Sequence, residues 1–448
     1  MKKPLPALVL IAMALAFWPF PQTSGIGPVA ALADDDGDDG GDDGGGRGRG
    51  SRGGDGPRGF SPGGGTGFFD FLRPRERAQR RPERAAPIRF LPEEIVVAGI
   101  DERTLDLLAA DGFTIVERAA VGRAGRMVAR LREPRNTAYA AARTRILAIA
   151  PDAIVDLNHV YRTSEFGCPK GACSGPTFIA WPSHGCRARP LIGMIDTGVD
   201  LAHPAFAGRA IEEMSVIGAG RKPANNAHGT AIAALLAGAP ESRTPGLVPD
   251  ARVIAVAAFH LEGRAEIADA FSLTRGIDLL VERRVDIVNL SLAGDDNAVV
   301  GAAVSAAIDT GIAVVASAGN RGAGAAPAYP AAYPDVIAVT AIDVKRRLYR
   351  QAGRGEHLDF AAPGVKLWTA AGTGGRFRSG TSYAAPFVTA ALAVKLAHAP
   401  DRPLGEIVYE MASQADDLGE AGRDPLYGWG LIQATELCTP VADAASPG

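Results

Sequence analysis

The chain has 448 residues, which is enough for two or three domains of ordinary size. Apolar residues make up 47% of it and the formal net charge is −3, so the composition excludes a wholly disordered chain and gives no general reason to expect a nucleic-acid or membrane-surface partner. After the N-terminal segment no apolar run approaches the roughly 18 residues that span a bilayer, which excludes a polytopic membrane protein.

The N-terminal segment has the features of an export signal. Lys2 and Lys3 precede an apolar run over residues 5–20, and small residues up to Ala33 follow before an acidic block. This pattern predicts a signal peptide over residues 1–33, and therefore a secreted or periplasmic protein. An uncleaved N-terminal anchor is the alternative, and no other contact with a membrane is expected.

Gly, Asp and Arg dominate residues 34–90. Aspartate alternates with glycine over residues 34–43, and arginines among glycines and prolines follow. Because this composition cannot bury a core, we expect a solvated linker. Its Gly-Arg tracts are similar to those that bind RNA, but in an exported protein the linker interpretation is favoured and no nucleic-acid partner is expected.

Residues 91–162 contain the elements of a small α+β domain. Apolar spacing predicts strands near 95–99, 113–118, 126–131 and 153–160, with helices over 102–110 and 136–150. Leu105, Leu107 and Leu108 are expected on one side of the first helix. The order strand, helix, strand, strand, helix, strand is that of ferredoxin-like domains, which also serve as binding modules.

The four cysteines are Cys168, Cys173, Cys186 and Cys438. In an oxidising compartment their even number favours two disulfides, and all three connectivities remain open. Zinc is the competing interpretation, but the spacing lacks the paired clips of structural zinc sites, and no metal site is predicted.

Three motifs place reactive side chains at the ends of predicted elements. Asp196, in Asp-Thr-Gly, ends a buried strand, where open α/β sheets bind their ligands. His228, in His-Gly-Thr, and Ser382, in Gly-Thr-Ser, each open a helix, and Pro386 is expected in the first turn of the second helix. A serine hydroxyl is a poor nucleophile at neutral pH and needs a neighbouring base, which a carboxylate can orient.

The order Asp, His, Ser in these contexts resembles the subtilisin-like serine peptidases, over roughly residues 190–437. Stretches 315–320 and 427–430 also match the family pattern. The resemblance implies an endopeptidase that forms an acyl-enzyme on Ser382, with His228 as general base and Asp196 as the group that orients it. It implies that Asn320 and the Ser382 N–H donate to the oxyanion. It further implies a substrate-binding set made of Ser291, Leu292, Ala293, Ala318 and Gly319.

The same resemblance implies a doubly wound α/β peptidase domain over residues 168–439, followed by a short tail at 440–448. A mainly parallel sheet is expected from strands near 190–196, 252–258, 285–292, 312–318 and 336–342, with helices near 228–239, 266–283, 297–309 and 382–398. No cofactor is required for the chemistry, and structural calcium is expected by analogy alone.

The small domain resembles the inhibitory pro-segment of this family. Its expected partner is the peptidase domain of the same chain, and the enzyme's other partners are protein or peptide substrates. The last strand should lie in the substrate cleft, so we predict self-cleavage between about Tyr161 and Gly167. Ala293 stands where glycine is usual in the primary specificity pocket, and this favours a small or medium side chain before the cleaved bond.

Several residues have plainer interpretations. His203 is predicted to be a structural turn residue, Ser379 a loop residue, and Asn289 and Asn297 polar residues of a strand or turn.

Two other functions are compatible with the sequence. Asp-Thr-Gly occurs at Asp196 and again at Asp309, as in a two-lobed aspartic peptidase, although residues 298–308 are predicted to be helical. A catalytically silent binding homologue is the other alternative.

Overall fold

The computed structural model describes residues 88–122, 126–134, 137–163, 166–167, 175–182, 185–435 and 437–438. All of them belong to one unit of the chain, Glu83–Gly448. The expectations for the signal peptide, for the linker up to residue 87, for Cys168 and Cys173, and for the tail from residue 440 lie outside the described residues.

The small domain has the predicted order of elements. They are β1 (Phe90–Ile100), α1 (Glu102–Ala110), β2 (Thr114–Val121), β3 (Arg126–Arg132), α2 (Tyr139–Ile149) and β4 (Ile154–Thr163). The strands form an antiparallel sheet in the order β2-β3-β1-β4, and its apolar face packs against the two helices. Leu105 and Leu108 are buried there, but the prediction for Leu107 is wrong, since it is 50% exposed. Residues two apart on a helix point to opposite sides, whereas residues three apart share a side.

The large domain follows, and its elements are β5 (Phe166–Gly167), α3 (Gly175–Phe178), β6 (Leu191–Asp196), β7 (Ala210–Ser215), α4 (Ala227–Ala237), β8 (Arg252–Ala257), β9 (His260–Glu262), β10 (Ala265–Asp269), α5 (Ala270–Glu282), β11 (Ile287–Leu290), β12 (Leu292–Gly294), α6 (Ala298–Asp309), β13 (Ala313–Ser317), β14 (Ile337–Ile342), β15 (Leu358–Pro363), β16 (Leu367–Ala371), β17 (Gly374–Ser379), α7 (Thr381–His398) and α8 (Leu404–Gln414). A single 3-10 turn, Pro204–Phe206, lies between β6 and β7 in the described chain.

A seven-stranded sheet forms the centre of this domain. Its order is β15-β14-β13-β11-β6-β8-β7, and every pair is parallel. Alternate residues of the strands enter two different apolar clusters, one with α4 and α7 and the other with α5 and α6. Helices therefore cover both faces of the sheet, which confirms the doubly wound α/β fold.

In the large domain, two predicted elements and the position of Pro386 differ from the structure. The helix expected over 266–283 begins only at Ala270, because Asp269 ends β10 and its side chain accepts a hydrogen bond from the Ser272 N–H at 2.8 Å, as an N-cap does. The strand expected over 285–292 is divided into β11 and β12. Pro386 is the sixth residue of α7 rather than a first-turn residue.

A disulfide joins the two ends of the large domain. Cys186, before β6, pairs with Cys438, and their Cα atoms are 5.1 Å apart. This pair belongs to one of the three connectivities that the sequence left open.

The described residues contain neither a membrane-spanning helix nor a cluster of His, Cys, Asp and Glu that could hold a metal ion. None of their helices is both long and apolar enough to cross a membrane. The same residues contain no group of three or more His, Cys, Asp or Glu side chains placed to hold a metal ion.

Candidate active site

Asp196 and His228 form the buried base of the site. Asp196 is the last residue of β6 and His228 the second residue of α4, with exposures of 1% and 2%. The His228 Nδ1 lies 2.7 and 2.9 Å from the two carboxylate oxygens. Because a carboxylate only accepts, Nδ1 carries the proton, and in the neutral ring Nε2 is left as an acceptor.

Gly229 allows the helix to start this close to the strand. A side chain there would place its Cβ 2.4 Å from the Thr197 carbonyl oxygen. The Gly229 N–H instead donates to the Thr197 hydroxyl at 2.8 Å. The predicted strand end and helix start are therefore held together by a contact that only glycine permits.

Ser382 opens helix α7 and is fully buried. Its backbone N–H belongs to the first turn, where helix N–H groups have no carbonyl partner within the helix. Its Oγ and the Nε2 of His228 are both buried without a hydrogen-bond partner among the described residues. The ring of Tyr383, the next residue, lies 5.4 Å from the His228 ring, so the serine and the histidine occupy the same region.

Pro386 explains how the backbone around Ser382 is held. A proline has no N–H, so the carbonyl four residues earlier, that of Ser382, loses its usual helical partner. The Ser291 hydroxyl donates to this carbonyl at 2.8 Å, and the Asn289 side-chain amide donates to Ser291 at 2.9 Å. The Asn289 oxygen in turn accepts from Thr389 of α7 at 3.0 Å. This buried chain of hydrogen bonds ties α7 to β11.

Asn320 lies in the loop after β13 with its amide fixed in one direction. Its Oδ1 accepts from the Thr381 N–H at 3.1 Å and from the Thr381 hydroxyl at 3.0 Å. The Nδ2 is therefore turned away from Thr381, and it is buried without a hydrogen-bond partner in the described chain. Leaving a buried donor unpaired costs about 1–3 kcal/mol, so such atoms are often reserved for a ligand.

The end of β4 lies between two strands of the large domain. Val160 and Tyr161 pair with β10, and Tyr161 to Thr163 pair with β12, both antiparallel. The Tyr161 ring is fully buried against Gly294, where an added Cβ would lie 2.3 Å from the ring. The small domain thus supplies a strand to the large domain.

A narrow recess adjoins β12. A Cβ added to Gly319, whose φ is +79°, would lie 3.2 Å from the Cβ of Ala293 and 3.0 Å from that of Ala328. Both alanines are buried, at 8% and 5% exposure. Two methyl groups therefore crowd the space beside Gly319.

The chain after β4 meets the strand that leads to Ser382. Phe166 and Gly167 form β5, which pairs antiparallel with β17, so that Ser379 faces Phe166 and Arg378 faces Gly167. The β16 strand completes this three-stranded sheet.

Charged groups of both domains meet at the end of β10. Asp269, fully buried, lies 2.5 Å from a nitrogen of Arg221 and 3.5 Å from one of Arg130 in β3. The Nε2 of the buried His260 is 2.5 Å from Arg221. Burial, and then the Arg221 guanidinium, lower the pKa of His260 to about 4.

The structure places the remaining predicted residues as follows. Leu292 and Ala293 belong to β12, with Ala318 and Gly319 beside them, while the Ser291 side chain is turned to the Ser382 backbone. His203 is structural, because its ring contacts the Gly374 carbonyl at 2.8 Å and accepts from the Ala205 N–H.

Other predicted residues lie away from the reactive atoms or have structural contacts. The Asn297 side chain caps α6. Asp309 is the last residue of that helix, while Asp196 contacts His228, so the geometry does not favour the aspartic-peptidase alternative. The Ser379 hydroxyl accepts from the Lys366 N–H.

Sequence reasoning missed several residues of the site. Thr381 orients Asn320, Thr389 and Asn289 anchor helix α7, and Ala328 narrows the recess. The only available signal was their position next to the motifs, and Asn289 was interpreted as an ordinary strand residue.

Comparison with known proteins now identifies the family. A sequence model of the subtilase family matches residues 188–430, more than half of the chain, and the chain belongs to this family. The match begins just before β6 and ends at Gly430, so it includes Asp196, His228, Asn320 and Ser382.

Two individual relatives are also similar to this chain in sequence. Over 230 residues the chain is 36% identical to the minor extracellular protease Epr of Bacillus subtilis (strain 168). The alignment covers 50% of this chain and 34% of Epr. Over 248 residues it is 30% identical to subtilisin E of the same organism, covering 54% and 63%. The chain thus spans about a third of Epr and under two thirds of subtilisin E.

A solved structure shares the fold. The crystal structure of fervidolysin from Fervidobacterium pennivorans, a keratinolytic enzyme related to subtilisin, aligns with a TM-score of 0.67 at 21% identity. The alignment covers 78% of this chain and 61% of that one.

Proposed function

We propose that this chain is a serine endopeptidase in which Ser382 attacks the peptide carbonyl, His228 acts as general base and Asp196 orients the base. One observation carries the proposal: the Ser382 Oγ, the His228 Nε2 and the Asn320 Nδ2 are three buried polar atoms without partners among the described residues. They are the nucleophile, the proton acceptor and the oxyanion donor that acyl transfer requires.

The chemistry follows from this arrangement. As the Ser382 Oγ bonds to the carbonyl carbon, its proton moves to the His228 Nε2, and Asp196 stabilises the resulting imidazolium. His228 then gives the proton to the leaving amine as the C–N bond breaks, which leaves an acyl-enzyme. Water, deprotonated by the same nitrogen, hydrolyses the ester and restores Ser382.

Asn320 and the N-terminus of α7 stabilise the oxyanion. The Nδ2 of Asn320 is held by the contacts of its Oδ1 with Thr381, so it needs no reorganisation when charge develops. The Ser382 N–H is the second donor, at the positive end of an 18-residue helix.

Substrates bind as an added antiparallel strand. The pairing of β4 with β10 and β12 supports this mode, with Ser291 to Ala293 on one side and Ala318 to Gly319 beside the reactive carbonyl. The methyl groups of Ala293 and Ala328 limit the space next to Gly319. A small side chain before the cleaved bond is the consequence.

The small domain, residues 91–162, is an inhibitory pro-segment whose last strand occupies the cleft. Thr163 faces Leu292 and Phe166 faces Ser379, which supports a chain path past Ser382. The two residues between them are Ser164 and Glu165, which lie outside the described residues. The pairings on the two sides of this gap support self-cleavage between about Tyr161 and Gly167.

The protein acts outside the cytoplasm. The basic and apolar N-terminal segment supports export, and the relative Epr is named an extracellular protease.

The test compares the full-length wild type with Ser382→Ala. Intact mass and N-terminal sequencing should show a wild-type species that begins near residues 162–168, while the variant stays uncut there. Wild type, but not the variant, should take up a fluorophosphonate. If both chains remain uncut and neither is labelled, the chain is a silent homologue and the proposal fails.

A further inference from the structure

Two arginines of the large domain form ion pairs with carboxylates of the small domain. Arg221, in the loop after β7, lies 3.5 Å from a carboxylate oxygen of Glu94 in β1. Arg275 of α5 lies 3.0 Å from a carboxylate oxygen of Glu117 in β2. Within the large domain, Arg221 also pairs with Asp269 at 2.5 Å. In these pairs the large domain therefore contributes two positive charges and one negative charge.

The large domain itself holds both guanidinium groups in position. The Arg221 group contacts the Nε2 of His260 in β9 at 2.5 Å, in addition to Asp269. The Arg275 group lies 5.6 Å from the centre of the Phe271 ring, in the same helix. A charged group that is already fixed in its bound orientation loses little entropy when it binds an opposite charge.

Departure of the small domain changes the charge of this surface. Under the proposed function the small domain must leave the cleft before another protein can be cleaved, and its carboxylates leave with it. Arg130 of β3, which lies 3.0 Å from Glu117, leaves as well. The uncovered surface keeps Arg221, Arg275 and the single carboxylate of Asp269. It is therefore complementary in charge to an acidic chain.

Strand β4 shows which substrate residue reaches Arg221. The side-chain amide of Asn158 donates to the Glu94 carboxylate at 2.8 Å, so it lies next to the place where that carboxylate meets Arg221. A glutamate is longer than an asparagine by one methylene group, about 1.5 Å. In a substrate bound like β4, a glutamate in this position can take the place of the Glu94 carboxylate. The position is three residues before Tyr161.

We infer that Arg221 and Arg275 form a docking site for acidic substrates on the mature enzyme. Arg221 binds the carboxylate of a glutamate three positions before the residue that takes the place of Tyr161, and Arg275 supplies the second positive charge. The preferred substrates are proteins with acidic side chains on the N-terminal side of the cleaved bond. This inference rests on the proposed function, because it assigns a substrate class to the same binding mode.

The experiment uses wild-type enzyme matured from the full chain and the peptide of residues 154–167 with Asn158→Glu, Asn158→Gln or Asn158→Lys. Glutamate and glutamine have nearly the same shape, so their comparison isolates the charge. Wild type should cleave the Glu peptide with a kcat/KM about three- to fivefold above that for the Gln peptide, the scale of a solvent-exposed ion pair. The Lys peptide should be the slowest. The preference should shrink as salt is raised from about 50 to about 500 mM, because salt screens exposed charges.

Variants assign the preference to this surface. In Arg221→Gln the Glu and Gln peptides should be cleaved equally, whereas Arg221→Lys should keep part of the preference. The matched control is Arg283→Gln, which removes the same charge at the other end of α5, where Arg283 pairs with Glu212. This control should keep the wild-type ratio. Should Arg221→Gln fail to fold, Arg275→Gln provides the second test and should lower the ratio, because the surface then has no excess of positive charge.

The outcomes separate this inference from the proposed function. Equal kcat/KM for the Glu and Gln peptides, with wild type that takes up a fluorophosphonate, would overturn the inference and leave the proposed function intact. A preference for the Glu peptide that survives in Arg221→Gln would also overturn it. Absence of both cleavage and fluorophosphonate labelling would instead refute the proposed function.

Discussion

The contact between Gly294 and Tyr161 leads to a quantitative prediction for Gly294→Ala. The added methyl carbon would lie 2.3, 2.7 and 2.8 Å from three atoms of the Tyr161 ring, where carbon atoms normally approach to about 3.5–4.0 Å. The ring is fully buried, so we expect the overlap to be relieved by a shift of β4. Overpacking of this kind costs about 1–3 kcal/mol.

Hydrogen exchange of β4 measures this cost. The uncleaved Ser382→Ala chain is the background, because amide protection reports the free energy of local opening. At about 1.4 kcal/mol per tenfold change, protection of β4 should fall about 5- to 150-fold in Gly294→Ala. The matched control is Gly405→Ala, where nothing lies within 4 Å of the added Cβ, and β4 protection should not change.

A second substitution tests the cause. Tyr161→Ala removes the ring that the added methyl group would contact. The free-energy cost of Tyr161→Ala should therefore be smaller in the Gly294→Ala chain than in the parent chain, by about 1–3 kcal/mol. Unchanged protection in Gly294→Ala, or two effects that simply add, would refute the packing argument.

Three further predictions concern catalysis, pH and the disulfide. Asn320→Ala should lower kcat of the mature enzyme by about 10²–10³ with little change in KM, because the donor acts on the transition state. His260 is held neutral by burial and then by Arg221, which lower its pKa to about 4; the unfolded chain binds that proton from about pH 6.5. As the pH is lowered from about 6.5 to about 4, the melting temperature of the Ser382→Ala chain should therefore decrease. The decrease should be smaller when His260→Gln is added to the same chain. Cys186→Ala opens a cross-link between residues 252 positions apart, and in the chain-entropy model the loss of stability is about 5.5 kcal/mol.

Each of these predictions has a contrary result. Wild-type turnover in Asn320→Ala would remove this residue from the oxyanion site. Parallel pH curves for the parent chain and its His260→Gln variant would show that protonation of the ring is not coupled to folding. An unchanged melting temperature of Cys186→Ala under oxidising conditions would show that the cross-link does not stabilise the domain.

Local sequence was sufficient for most of the secondary structure. The predicted α1, α6 and α7 agree with the structure to within two residues at each end, and the five predicted strands of the parallel sheet are present. Apolar periodicity and capping residues act over a few positions, so they can be recognised without tertiary information. The helix predicted from residue 266 was wrong at its start, because β10 forms through pairing with β9 and β4, and both partners lie elsewhere in the chain.

The candidate site also has features that the sequence predicts and features that only the fold reveals. Asp196, His228, Ser382 and Asn320 could be named from short motifs, because each motif combines a reactive side chain with the local residues that start a helix or end a strand. The direction of the Asn320 amide depends on Thr381, which is 61 positions away, and Ser291 reaches the Ser382 carbonyl across 91 positions.

The sequence by itself therefore determined which residues are chemically competent and which local elements carry them. Only the tertiary structure decided that β4 lies between β10 and β12, that Ala293 and Ala328 crowd one recess, and that Arg378 is buried. The physical reason is that strand pairing and burial are set by contacts between segments far apart in the chain, and these contacts leave no periodic signal in either segment.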